Sequence, residues 1–469
     1  MSGAIASALS INRSGLNTSN KYFYLQMQGD GGQSGGQTAY NASVTDINEN
    51  IYTAGWATNS SGGVYTSISK FNKYGNLVWT RSLADTNVAA SQSTLPAYSI
   101  KIDPHNTSLI VGINFLNSSG GTYTSYVRYT LDGTLVFQRQ LTNPTATVPA
   151  ASAFDLGSTV HINSDNTYCT FGSSTDANGF YRGIMTKSSM TNGAVTFHRY
   201  FTDNSGASAA EFYDGSCDSS GNIYAVGVAL SSGGGYAGLI VKYSSTGTFQ
   251  WAYNILDSRG LAFNADIRAT NIEINKDILY ISGMFSNPND VQDQRCFILK
   301  MDTTGNVLSY KTFRNYVDVP TNPFPLNIID MTFDLKDNFY ALSGSGIVLK
   351  FDTSLNLLAS SKAYFITYSM STTQNNDIIL VGNDYDYGFG IYGFALLLKT
   401  NMSKIFDEIS LSGSYKFFYS YSNIYETNDT ITLVSGDGTD SAGIHTNAAG
   451  TLTTGSAPTL GVFTNTEYK

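Results

Sequence analysis

The sequence is poor in the groups from which active sites, metal centres and anchors are usually made. Of 469 residues only three are cysteine (Cys169, Cys217 and Cys296), far apart and with no CxxC pair. That excludes a disulfide framework and a zinc site of familiar spacing, and leaves small core residues as the reading of all three. The four histidines (His105, His161, His198, His445) fall in different stretches with no metal-ligand spacing. No metal, no cofactor and no catalytic residue is expected. Charged residues make up only 13%, against roughly 25% in an average soluble domain. The formal charge of −9 has the wrong sign for a nucleic-acid partner. No run approaches the ~18 apolar residues of a membrane span, so no membrane partner is expected. The first residues, MSGAIASALSINRSG, lack the basic start and the apolar run of a signal peptide, which points to synthesis in a cytoplasm without secretion. Proline is scarce, at nine residues.

What is abundant is glycine (45), tyrosine (32) and small polar residues, with 42% hydrophobic residues to supply a core. This is a β-rich, turn-rich composition and not a disordered one. The organising stretch is Thr66 to Leu83, TSISKFNKYGNLVWTRSL. A strand ends in Lys70 and Phe71, a turn carries Gly75, and a second strand carries Trp79. Related hairpins recur, with turn positions Gly75, Gly133, Gly193, Gly247, Gly305, Leu355, Lys404 and Gly450. A strand ending near glycine precedes each, as in NIYTAGW at Gly55 and NIYAVG at Gly227. A period near 50 residues with four short strands per unit predicts propeller blades. Runs such as GLIVKY (238–243) and CFILKM (296–301) are apolar without alternation. A strand reads that way when both of its faces are buried between neighbouring blades.

The expectation is an all-β, eight-bladed propeller with four-stranded antiparallel blades. Seven blades plus a terminal hairpin is the alternative. Lys21–Gln28 reads as an isolated strand that would close the ring by pairing with the last blade. Residues 1–20 form a small, polar lead or anchor segment, and residues 21–469 a single propeller domain.

Asn222 to Gly227, leading to Val241-Lys242-Tyr243 and then to Gly247 through Trp251, is similar to bacterial β-propeller repeats, in which a strand like GNIYVAG precedes hhKYsssGxhxW. The resemblance spans roughly residues 22–455, is strongest in the first and fourth units, and fades where Leu355 and Lys404 replace the turn glycine. Such chains look like virion or tail-appendage proteins of tailed bacteriophages, and the repeats also occur in bacterial surface proteins. The resemblance implies a virion location and a non-enzymatic structural role, tail-associated or surface-decorating. Its implied partners are other virion proteins, in multiple copies per particle, and a host surface glycan. A surface glycan-binding lectin and a propeller glycosidase or lyase built on axial carboxylates are the alternatives. The pieces GNLVW and GTFQW also resemble the docking motif of quinoprotein dehydrogenases. The vicinal cysteine pair of those enzymes is missing, and only Trp79 and Trp251 keep the tryptophan.

The steadiest polar feature is the cation before each turn: Lys70, Arg128, Lys187, Lys242, Lys300, Lys350 and Lys399, with His445 in the eighth unit. Such a ring could bind an anion at one mouth of the channel. The favoured reading is structural, with each stem packed on the next blade and the amine reaching water or a carboxylate. Asp302 and Asp352 are expected to hydrogen-bond their turns. For binding, the stretch NDYDYGFGIY stands out, with Asp384, Tyr385, Asp386, Tyr387, Phe389 and Tyr392. Aromatic faces stack on sugars, and carboxylates bind hydroxyls or calcium. The plain alternative is a hairpin packed on its own blade. Trp56, just past Gly55, is a second candidate for an exposed aromatic.

Overall fold

Alternating β-branched, aromatic and glycine-bounded segments give a chain made of strands. The computed structural model describes residues 22–28, 38–58, 64–85, 96–116, 122–142, 159–175, 181–203, 209–230, 235–257, 266–287, 290–315, 326–363, 366–386 and 390–398, and short strands between 409 and 468. Six four-stranded antiparallel blades are each built from consecutive strands: blade 1 (38–85), blade 2 (97–142), blade 3 (159–203), blade 4 (210–257), blade 5 (266–315) and blade 6 (328–363). The next three strands, Ile366–Thr372, Ile378–Asp386 and Gly390–Leu398, have no fourth strand of their own. Tyr22–Gln28 fills that place, antiparallel to Gly390–Leu398, with Tyr24 opposite Leu396. This composite sheet lies between blade 6 and blade 1, and the first strands of adjoining sheets pack on one another all the way round. The ring is closed.

The eight-bladed expectation is therefore corrected, and so is its alternative of seven complete blades followed by a hairpin. Six blades are complete in consecutive strands, the composite sheet borrows from the N-terminus, and the short pair Ile409–Ser410 with Lys416–Ser420 extends blade 6 instead of standing as a unit after the ring. The stretch counted as an eighth unit does something else. Its pieces pair one by one with the outermost strands of the ring, always antiparallel. Lys416–Ser420 pairs with blade 6, Ile424–Thr427 with blade 5, and Ile431–Ser435 with blade 4. Gly438–Ala442 pairs with blade 3, Thr446–Ala449 with blade 2, and Leu452–Thr454 with blade 1. Gly461–Tyr468 ends on Tyr22–Gln28, with Tyr22 opposite Tyr468. The C-terminal segment is a belt that travels the rim in reverse blade order. Successive belt strands begin six to nine residues apart. An extended chain covers about 20–30 Å in that length, enough to step from one outer edge to the next. The count failed because ITLVSG and its neighbours carry strand propensity without specifying a partner, and the open outer edges of the ring supply one.

The core lies between sheets. Tyr52, Ile68 and Leu83 of blade 1 pack on Leu109, Val111 and Tyr129 of blade 2. Phe171 and Phe201 of blade 3 pack on Phe212 and Leu239 of blade 4. Second and third strands are buried on both faces, as in Ile223–Leu230, which is why their sequences do not alternate. Cys169 and Cys296 are buried and Cys217 half-buried, all as free thiols.

Candidate functional site: the axial channel

Each first strand lines the axis, and six of them carry a β-bulge. The extra residues are Asn41, Tyr98, Tyr213, Thr270, Ile329 and Tyr368. A bulge bends its strand and re-aims side chains. It also explains a glycine that strand propensity cannot. Gly227 sits opposite the bulge of blade 4, and a Cβ there would lie 1.8 Å from the Glu211 carbonyl oxygen. The residue just after the bulge reaches to the next sheet. Asp214 Oδ2 accepts from the Ile272 amide at 2.9 Å, and Asp330 Oδ2 from the Met370 amide at 2.7 Å. Ser99 Oγ accepts from the Val160 amide at 3.1 Å, and Ser369 Oγ from the Ser43 amide at 3.4 Å. These bonds staple sheet to sheet around the axis, including across the joint between the composite sheet and blade 1.

Deeper in the channel lies a charged layer. Lys101 of blade 2 crosses to Glu273 of blade 5, with Nζ to Oε1 at 3.8 Å. The two side chains keep 43% and 32% of their surface accessible although protein surrounds them, the condition of groups lining a narrow channel. Asp214, Asp330 and His161 complete the layer, and His161 Nδ1 lies 3.4 Å from Ser216 Oγ. Burial pushes the Asp214 carboxyl up to about 7, opposed by the Ile272 amide and the Lys101 charge. Burial also raises Glu273 and Asp330. For Lys101, burial works against the charge, but Glu273, Asp330 and Asp214 together raise its pKa. Burial, helped by Lys101, drops His161 to about 3, so its ring is neutral. Shallower, Tyr98 and Tyr368 are 48% and 37% exposed, and burial with the nearness of Tyr368 raises the Tyr98 phenol.

A raised carboxyl in a channel is the usual mark of a proton-transfer group. Here Asp214 and Asp330 already accept backbone amides of the next sheet, and Glu273 faces an ammonium. The layer therefore joins sheets across the axis. Among the described residues no group of three or more His, Cys, Asp or Glu is placed to hold a metal. No described helix is long and apolar enough to cross a membrane. An open depression of about 680 Å³ lies where blade 1 meets the composite sheet, lined by turn residues including Asn48, Lys73 and Gln374. Two of its lining residues, Asn375 and Glu49, hydrogen-bond to each other across the joint.

The repeated cations form a second ring of staples. Lys70 Nζ donates to the Leu131 carbonyl at 3.0 Å, Arg128 Nη1 to Met190 at 2.6 Å, and Lys187 Nζ to Ser245 at 3.1 Å. Lys242 and Lys300 donate to the carbonyls of Thr303 at 2.6 Å and Thr353 at 2.8 Å. Each acceptor lies in the turn of the next blade. Lys70, Lys242, Lys300 and Lys350 also lie over the rings of Tyr52, Tyr224, Tyr280 and Tyr340 at 5.0–5.4 Å. These cations end on turn carbonyls and tyrosine faces, and Lys187 also meets a carboxylate, Asp165 at 2.8 Å. The turn glycines Gly75, Gly133, Gly193, Gly247 and Gly305 all have positive φ. At Gly247 a Cβ would also lie 2.7 Å from the Phe197 ring of the preceding blade. Leu355 holds the same left-handed conformation, φ 64°, without being glycine. Trp79 packs between Tyr52 and Tyr129, Phe137 stacks on Tyr168, and Trp251 packs on Tyr224 and Tyr253. Asp302 and Asp352 accept the amides of their own turns.

The proposed binding loop is mostly strand. Asp384, Tyr385 and Asp386 end Ile378–Asp386 in register with Tyr392, Ile391 and Gly390. Trp56 is half-buried within Ile51–Thr58. Tyr387, Phe389, Lys399, His445, Gly450 and residues 1–20 lie outside the described residues.

Two sets of residues escape sequence reading. The first has a signal, the heptapeptide Asp-x-x-x-Asn-x-Tyr at 46–52, 218–224 and 334–340. Asp218 Oδ2 accepts from the Asn222 amide group at 2.8 Å and the Tyr224 hydroxyl at 2.9 Å, and Asp46 and Asp334 repeat the pattern. The second, the post-bulge staples, has none, because the side chain there varies from Ser99 to Asp214 to Asp330.

No protein-family model matches the chain, and no curated protein is similar to it. Among solved structures it is similar to the WD40 β-propeller domain of Doa1, at 10% identity and a TM-score of 0.45, over 79% of this chain and 96% of that one. It is similar also to the Dos1 propeller, at 11% identity and a TM-score of 0.44, over 79% and 94%. BamB from Moraxella catarrhalis matches at 10% identity and a TM-score of 0.37, over 79% and 95%. The chain is a β-propeller of repeated units.

Proposed function

We propose that this protein is a non-enzymatic structural component of a tailed-phage virion, tail-associated or surface-decorating, presenting loops for assembly or host attachment. The observation that carries the reading is the belt. A propeller needs no such segment to fold, since its blades bury one another. Covering the outer edge of every sheet protects against strand addition by other chains. That protection matters most for a protein held at high local density and exposed without chaperones, as in a particle surface. The engagement of the axial carboxylates in staples and an ion pair supports a scaffold over a hydrolase. The test is quantitative mass spectrometry of particles purified from the source through a density gradient. The expected result is this chain at a fixed ratio to the major capsid protein. Its presence in the cell lysate and absence from the particles would overturn the reading.

A further inference from the structure

The sheet edges left after the belt is laid are unequal. The belt strands on blades 1 to 6 have three to five residues. Gly461–Tyr468 has eight, as long as the strands of the ring, and no described strand pairs beyond it. A long outer strand is a template for another chain unless lysine, proline, shortness or a bulge blunts it. GVFTNTEY contains no lysine, arginine or proline and only one carboxylate, Glu467. It is rich in the β-branched and aromatic residues that favour strands. Its irregularity lies at the Gly461 end, so Thr464 to Tyr468 runs in unbroken register with Gln26 to Tyr22.

We propose that this edge is an interface for a second copy of the chain, formed by antiparallel pairing of the two Gly461–Tyr468 strands about a two-fold axis. Two five-stranded sheets would then continue into one. A second copy is favoured over an unrelated strand for two reasons. An antiparallel edge is complementary to itself, so a two-fold contact needs nothing but the same segment twice. The chain also accepts an added antiparallel strand on all seven of its sheets, so its outer strands have the twist and spacing this pairing requires. Charge agrees. A two-fold axis on Asn465 or on Thr464 gives two registers, and since Glu467 is the one charged residue of the strand, neither sets like charges directly opposite. The proposal does not depend on the particle reading, since it is tested on the pure protein.

The experiment is sedimentation velocity of the purified full chain over a concentration series, beside Thr464→Lys and Thr464→Glu. In either register the two copies of position 464 are direct or diagonal neighbours. The expected result is a reversible wild-type dimer whose Kd rises by about tenfold or more in each variant at an unchanged melting temperature. Mixing the T464K and T464E chains at 1:1 restores dimer. If the charged variants unfold, Asn465→Cys takes their place, with a disulfide-linked dimer expected under mild oxidation. A wild-type chain that stays monomeric, or associates only with another protein, overturns the proposal. So does a dimer that neither charge disturbs, or an N465C chain that stays uncrosslinked.

Discussion

Glycine has two separate jobs in this chain, and substitution distinguishes them. At Gly227 the backbone is not left-handed, but a Cβ would overlap the Glu211 carbonyl of the bulged first strand. Gly227→Ala is therefore expected to cost about 3–5 kcal/mol, because backbone and not a flexible side chain must move. At Gly221, φ is +76° and the nearest atom to a Cβ is 3.4 Å away. Gly221→Ala is expected to cost only about 1 kcal/mol. Urea unfolding of the two variants checks the contrast, and equal losses would refute it. Lys242 is a simpler case. Its amine donates to the turn carbonyl of Thr303 in blade 5, and Lys242→Met leaves that carbonyl with only the longer bond from the Tyr224 hydroxyl at 3.3 Å. A loss of about 1–3 kcal/mol is expected in the same measurement. Asp214 makes stability depend on pH. Its folded pKa of about 7 lies above its ordinary value of 3.8, so the folded state keeps a proton that the unfolded chain has lost. Its contribution favours folding at low pH and falls away as pH rises from about 4 to 7. Asp214→Asn keeps an acceptor for the Ile272 amide and removes that slope. Melting temperatures from pH 4 to 8 should show the variant gaining on the wild type as pH rises, and parallel curves would refute the assignment.

At the level of strands and turns, the second and third strands of each blade are legible because burial on both faces leaves apolar runs that end in glycine. The hairpin is legible because its turn requires a left-handed residue, and Leu355 shows that the requirement is conformational and not strictly for glycine. The belt is not legible. Strands of three to five residues have no measurable period, and their partners lie up to 371 residues away, as for Leu83 and Thr454. The axial staples are hidden for a related reason. Their position is set by a bulge, and serine or aspartate serves equally well as acceptor there. The belt can be tested directly. A chain ending at residue 408 keeps all six blades and the composite sheet but uncovers every outer edge. It is expected to retain its β circular dichroism and to aggregate progressively. A truncated chain that stays in solution as well as the full one would show that the belt protects nothing.

In the molecule as a whole, ring closure rests on two strands from opposite ends of the chain. Tyr22–Gln28 is held between Gly390–Leu398 on one side and Gly461–Tyr468 on the other. The closing strand is thus interior to its sheet, hydrogen-bonded along both edges. Limited proteolysis that removes residues 455–469 is expected to lower the melting temperature more than a single nick between the strands of blade 1 or blade 2, read by calorimetry. The reverse order would show that closure is independent of the belt.

The belt has a consequence for how such a chain can change over generations. Propellers commonly gain and lose blades by duplication or deletion of one repeat. Here a duplicated blade would shift every later belt strand onto the wrong sheet unless the tail lengthened by one step of six to nine residues. The number of repeats and the length of the tail must therefore change together, and the tail acts as a written tally of the ring it encircles.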